Sequence, residues 1–309
     1  MNTPGADTGR RWFDGRLFSP VLLVVALFWL GKLTWENLDQ LAATAGEFSY
    51  ANFLGAFVLA TASLFTASVT HCLILTETSG RAVSLSFCIP CYLLSQIVRY
   101  IPGKIWGILY QTRQLASHVD SREVWAANIV QFAVGIAASV IAFLWAVSLV
   151  LIDTRMAIAT LALLAGVLYL SLQRKWFHHA VRRLTPKVFR TAPPHHPDRS
   201  AEIFLSLLIE WAMYLLSWMI LLHGTHSLED ATLLSILYVA SWILGFAVTV
   251  APGGLGIRES AFLSLGATFG FNPGTLAFYA LLARLLFTLA DLVNAALSYA
   301  FTKAHQGDT

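Results

Sequence analysis

Apolar residues in this chain run in blocks too long and too unbroken for the faces of a soluble fold. Residues 17–33, 53–75, 124–152, 156–172, 203–222 and 276–301 each read as a helix crossing a bilayer, which takes about 20 residues. Two further apolar stretches are interrupted. Residues 85–115 carry Arg99-Tyr100-Ile101-Pro102-Gly103-Lys104-Ile105-Trp106-Gly107. Residues 233–271 carry Ala251-Pro252-Gly253-Gly254-Leu255-Gly256-Ile257-Arg258-Glu259-Ser260. Proline removes a backbone donor and turns its predecessor away from helical geometry, while glycine permits a sharp turn. Each arm is short for a span, so both stretches read as helical hairpins that enter and leave on one side.

Composition agrees with the pattern. The chain is 57% hydrophobic and 12% charged, with a mean hydropathy of +0.66, against roughly 25% charged for soluble domains. The first residues, 1–16, are polar, and the apolar run after them lacks a small-residue cleavage site, so it reads as a retained helix. The net charge of +3 does not point to nucleic acid, because the basic residues gather in particular loops. With both termini cytoplasmic, fourteen of the 20 Lys and Arg residues lie inside and two outside. That is the bias of a cytoplasmic membrane protein. Arg99, Lys104, Arg258 and Arg284 fall at membrane depth.

The parity of the crossings adds a relation. Residues 17–152 run span, span, hairpin 85–115, span; residues 153–301 repeat the order in the opposite sense, with hairpin 233–271. The fold class is all-α polytopic: about six full spans plus two Pro/Gly-broken re-entrant hairpins in an inverted repeat. A basic cytoplasmic loop, 173–199, joins the halves, and residues 302–309 form a cytoplasmic tail. Inverted repeats with broken helices meeting near the midplane are a recurring transporter plan.

The chemistry sits at the two breaks. A Pro-Gly break exposes backbone N–H groups at the start of a half-helix, where the dipole favours anions. Arg99, Gly103 and Lys104 of the first hairpin, with Gly253, Gly254, Arg258 and Glu259 of the second, therefore form a candidate anion site. Arg binds phosphate as a fork and Lys as a point charge. Glu210, Arg284 and Asp291 are candidate charge partners. Arg258 and Glu259 project about 100° apart on a helix, so each needs a different partner. Arg284 and Asp291 share one face of the last span. Glu259 or Asp291 is the expected carrier of any coupling proton. Tyr100, Trp106 and Trp242 read as packing or interfacial anchors.

Other chemistry is not indicated. Cys72, Cys88 and Cys91 read as buried small residues and not as a disulfide framework or metal site, despite the CxxC spacing of the last two. The His pairs His178-His179 and His195-His196 lie in polar, solvated loop sequence, so no metal or cofactor is expected. GxSxG, HExxH, Walker A and GxGxxG motifs are absent, so the chain does not read as an enzyme.

The two Pro-Gly motifs resemble those of the lysylphosphatidylglycerol synthase transmembrane-region family, also called the flippase-like domain family, over nearly the whole chain. At Ile108, after Gly107, related chains often carry an acidic residue. The resemblance implies a stand-alone inner-membrane protein of bacterial lipid or polyprenyl-linked glycan handling. Synthase activity is not implied, because only residues 302–309 follow the last span. The expected function is a lipid flippase or scramblase for an anionic phospholipid or polyprenyl-phosphate-linked lipid. The alternatives are a non-transporting partner of a lipid or glycan biosynthetic enzyme, and an intramembrane transferase using Glu259 as base. Membrane lipids are the expected partners, together with such an enzyme or a second copy of the chain; nucleic acid is not. Single cysteines placed beside Gly103 and Gly254 should be labelled from opposite faces of the membrane; labelling of both from one face would remove the inverted repeat.

Overall fold

Lipid offers no hydrogen bonds to a bare backbone, so apolar runs of this length are forced into helix. The computed structural model describes residues 35, 39, 43, 45–46, 48–98, 105–151, 154–173, 198–247 and 256–306. Among them the order is α1 (Tyr50–Ser79), α2 (Leu85–Val98), α3 (Trp106–Gln114), α4 (Ser121–Leu151), α5 (Thr154–Leu172), α6 (Ser200–Leu222), α7 (Leu228–Ala247), α8 (Ile257–Thr268) and α9 (Pro273–Gln306). No strand occurs among the described residues, one isolated bridge between His223 and His226 aside. Helices α1, α4, α6 and α9 are long and apolar enough to cross a membrane. The expected first span, 17–33, and the basic loop, 174–197, lie outside the described residues. Helix α5, 19 residues long, takes in the expected stretch 156–172.

Helices α1 and α6 make the most extensive pairing in the molecule. Small residues permit it: Ala56, Ala60, Ser63 and Ala67 repeat every three or four positions along one face of α1. In membranes, where lipid is as apolar as leucine, close backbone approach and interhelical hydrogen bonds drive such pairing. Asn52 Nδ2 donates to the His223 carbonyl at 2.6 Å, and Ser217 Oγ to the Ala56 carbonyl at 2.8 Å. Further along, Ser63 Oγ donates to the Glu210 carbonyl at 2.9 Å, and Thr70 Oγ1 lies 3.1 Å from Ser206 Oγ. As one number rises the other falls, so the helices are antiparallel.

Two cores form at opposite ends of this pair. Ala56 and Ala60 of α1 join Trp218 and Leu222 of α6, Tyr238 of α7, Phe262 of α8 and Tyr279 of α9. Cys72 to Leu75 of α1 join Ile203 and Leu207 of α6, Cys88 of α2, Ile108 of α3 and Val130 of α4. The expected hairpin arms are therefore present as helix pairs, α2 with α3 and α7 with α8, each in contact. Their tips, 99–104 and 248–255, lie outside the described residues. The contacts then cross over: α2 packs on α9, and α7 packs on α4.

Helix ends follow local chemistry. Ser49 accepts the Asn52 N–H at the start of α1, and Gly80 ends it at φ +67°, its N–H bonded to Thr76. At Gly107, an added Cβ would lie 3.0 Å from the Ser95 carbonyl oxygen, so glycine brings α3 against the backbone of α2. One sequence expectation is corrected. Cys72 and Cys88 are joined as a disulfide with Cα atoms 5.9 Å apart, while Cys91 is free and buried. Face-to-face packing of α1 and α2 brings the two backbones within bridging distance. Sequence spacing does not disclose that.

Outward faces are apolar, as lipid requires. On α9, Leu281, Leu285, Leu292 and Leu297 are exposed, while Ala283, Ala290, Asp291 and Asn294 are buried. Asn294 Nδ2 donates to the Thr61 carbonyl at 3.1 Å, tying α9 to α1. Ala60→Leu, which overfills the α1–α6 seam, should destabilise the protein by about 1–3 kcal/mol; Leu285→Ala on the outer face should be close to neutral. Thermal unfolding in detergent, read by size exclusion, measures both.

Candidate functional site

Helix α8 starts in the second Pro/Gly break, at Gly256 with φ +79°, a conformation that favours glycine. Three residues on, Glu259 turns back, and its Oε2 accepts the Gly256 N–H at 2.7 Å. This is the carboxylate half of a capping box, glycine having no side chain to return. The other oxygen, Oε1, meets Arg284 Nη1 of α9 at 3.4 Å. Glu259 is 1% exposed. Its two oxygens are thus committed, one to the helix end and one to a cation.

Arg258 points elsewhere. Its Nη2 donates to the Tyr214 hydroxyl of α6, and its guanidinium lies 3.8 Å over the Tyr238 ring of α7. Tyr214 is held flat on Phe287 of α9, ring centroids 4.8 Å apart. Trp218 and Phe262 flank Tyr238. Among the described residues no carboxylate forms an ion pair with Arg258. A cation at membrane depth costs about 2.5–3.5 kcal/mol on insertion scales. A desolvated cation–π contact contributes about 2 kcal/mol, and a hydrogen bond to a charged group about 1.5–3 kcal/mol. The ring and the hydroxyl together offset the cost of placing the arginine at this depth. Arg258 Nε, Tyr238 Oη, Ser260 Oγ and Trp211 Nε1 are sealed from solvent with no hydrogen-bond partner among the described residues. These groups are all donors, or able to donate.

Beside Tyr214 lies a cavity of about 130 Å³. Its walls are Ser63 and Ala67 of α1, Tyr92 and Gln96 of α2, Glu210 and Trp211 of α6, and Val239 and Trp242 of α7. It therefore opens between the two hairpins, against the α1–α6 seam. Glu210 Oε2 lies 3.1 Å from Thr70 Oγ1. The far wall is braced by amides: Gln131 of α4 donates to the Tyr92 hydroxyl at 3.1 Å and to the Ala67 carbonyl at 3.2 Å. That orientation turns its Oε1 to His71 Nδ1, 2.6 Å away. Asn128 Nδ2 donates to Gln111 Oε1, and Gln111 Nε2 to Ser95 Oγ, both at 2.8 Å, fastening α3 between α2 and α4.

Of the residues singled out in sequence, Arg258, Glu259 and Arg284 come together, and Glu210 lies in the adjoining cavity. Asp291 is buried on α9 at 2% exposure. Arg99, Gly103, Lys104, Gly253 and Gly254 lie outside the described residues. Trp242, read as packing or an anchor, lines the cavity and also lies 3.4 Å from where a Cβ on Gly135 would stand. Trp106 is 46% exposed. Sequence reasoning passed over Tyr214, Tyr238, Tyr92 and Gln131. The available signal was the run of aromatics at helical spacing, Trp211, Tyr214 and Trp218, directly after Glu210.

A family model described as the lysylphosphatidylglycerol synthase TM region matches residues 16–293. The chain belongs to that family. No curated protein matches it. Family and helices together make this a multi-pass membrane protein related to membrane lipid. Within this family member, the match takes in both hairpins and the Arg258 site.

The Glu259–Arg284 pair should behave as a buried pair does. Arg284→Met alone, which strands the carboxylate, should cost about 3–5 kcal/mol. Glu259→Gln combined with Arg284→Met should recover much of that loss in thermal unfolding. Equal melting of the single and double variants would assign the pair no coupling.

Proposed function

We propose that this protein is a lipid translocase, a flippase or scramblase, moving an anionic phospholipid or polyprenyl-phosphate-linked lipid across the bacterial cytoplasmic membrane. The observation that carries the reading is Arg258: a membrane-depth guanidinium with a hydroxyl and a ring as partners and no carboxylate among the described residues. Around it stand unpartnered donors. A phosphate is rich in acceptors and takes an arginine fork well. Its arrival adds an ion pair without breaking one.

The helix arrangement supports the same reading. Each hairpin packs at a different end of the α1–α6 pair, and the cavity is walled by α2 of one and α7 of the other. The cross-over of contacts, α2 on α9 and α7 on α4, is what an inverted repeat produces. In this reading the head group passes between the hairpins, Arg258 and the tip residues Arg99 and Lys104 contact phosphate, and the tails stay in lipid. The chain performs no covalent chemistry and needs no cofactor, and both termini face the cytoplasm.

Translocation of fluorescent phosphatidylglycerol in reconstituted vesicles tests this. Arg258→Gln should slow it by roughly tenfold to a hundredfold, the kinetic equivalent of one lost charged hydrogen bond. Tyr214→Phe should slow it less. No movement above protein-free vesicles, with this probe and with a labelled polyprenyl phosphate, would leave a non-transporting lipid-binding protein as the better reading.

A further inference from the structure

The cavity contains an acid whose role the phosphate reading does not use. Thr70 Oγ1 is 3.1 Å from each of three oxygens: the Thr66 carbonyl, Ser206 Oγ and Glu210 Oε2. Ser206 Oγ is also 3.0 Å from the Ile203 carbonyl. A hydroxyl brings one hydrogen and two lone pairs. Two hydroxyls thus bring two hydrogens to four contacts. With Ser206 donating to Ile203 and Thr70 to Thr66, the contacts of Thr70 with Ser206 and with Glu210 both lack a hydrogen, and a proton on Glu210 Oε2 would supply the second. When Glu210 is ionised, Thr70 must turn its hydrogen from Thr66 to the carboxylate instead. The proton on Glu210 therefore decides the direction of a hydroxyl inside the seam that holds α1 to α6.

We propose that Glu210 takes up and releases a proton as the cavity fills and empties, so that lipid movement is coupled to proton movement. This rests on the translocase reading. The carboxylate is placed for both events: it lines the cavity, and among the described residues Thr70 is the partner of its side chain. Of the two acids expected to carry a coupling proton, Glu259 is committed to Gly256 and Arg284, and Asp291 is buried on α9 outside the walls of this cavity. A phosphate entering beside Tyr214 repels a carboxylate in the same cavity, so a proton enters with it. The step moves one proton from water to Oε2 and returns it to water; no bond between heavy atoms changes.

Other titratable groups on the surrounding helices are identifiable. His71 follows Thr70 on α1, its ring 4.6 Å from that of Tyr92 on α2. Its Nδ1 carries the hydrogen given to Gln131. Tyr214 lies one turn further along α6. From α7 comes Tyr238, from α8 Arg258, from α9 Arg284 and Asp291, and from α5 Tyr169, which packs on Phe204 of α6.

The test uses the full chain and two readouts. Infrared difference spectra between pH values should show a protonated carboxyl band that titrates reversibly, disappears in Glu210→Gln and shifts in Thr70→Val. Absence of that band, or its survival in Glu210→Gln, overturns the proposal whether or not lipid moves. In phosphatidylcholine vesicles holding fluorescent phosphatidylglycerol, one-to-one coupling to a one-unit pH difference should skew the probe between leaflets by roughly tenfold. Glu210→Gln should leave it even. A wild type that moves the probe but leaves it even overturns the coupling and keeps the translocase. If neither this probe nor a labelled polyprenyl phosphate moves in either protein, the translocase reading fails, and the infrared band still decides whether Glu210 exchanges a proton.

Discussion

The close approach of α1 and α6 is the constraint on which the other contacts depend. It requires small side chains at Ala56, Ala60, Ser63 and Ala67, and it is registered by hydroxyl and amide bonds from Asn52 to Thr70. Because the pairing is long and antiparallel, its two ends present different surfaces. One end receives α7 and α8, the other α2 and α3. Widening the seam would move the walls of the cavity and the hydroxyls beside Glu210 together.

Charge is handled in two ways a short distance apart. Glu259 and Arg284 neutralise each other, and the carboxylate also caps α8. That arrangement fixes the second hairpin to α9. Arg258, one residue earlier, is held by an aromatic face and a hydroxyl. Adjacent positions on a helix point about 100° apart, so the chain places a charge paired across helices beside one held by a ring and a hydroxyl. The first hairpin is fastened by neutral groups instead, Gln111, Asn128 and Gln131.

Much of this was legible along the chain. Unbroken apolar runs announced the long helices, because a bilayer admits little else. The Pro-Gly interruptions fall between helices that pack in pairs, α2 with α3 and α7 with α8. Membrane-depth charges drew attention to Arg258, Glu259, Arg284 and Glu210 for the same energetic reason. Their pairing was less legible. Arg284 and Asp291 share a face, but seven residues of helix separate them by about 10 Å of rise, and Glu259 from a neighbouring helix comes nearer. The aromatic partners were hidden for a different reason. Tyr214 or Tyr238 in an apolar run looks like any core residue until the rotation of its helix is known. Small residues elsewhere, on α1, determine that rotation. Cys72 and Cys88 belong to the same class: their spacing carries no sign that two helices bring them together.

The packing of α2 on α9 bears on how the chain is made. α2 emerges well before α9 in synthesis. Until α9 is inserted, the face of α2 that it covers must be shielded by lipid or by the insertion machinery. The α7–α4 contact closes over a shorter separation, so the second hairpin has its partner waiting when it arrives. The second hairpin is tied to α9 as well, through Glu259 and Arg284, so neither hairpin has its full set of contacts until that helix is inserted.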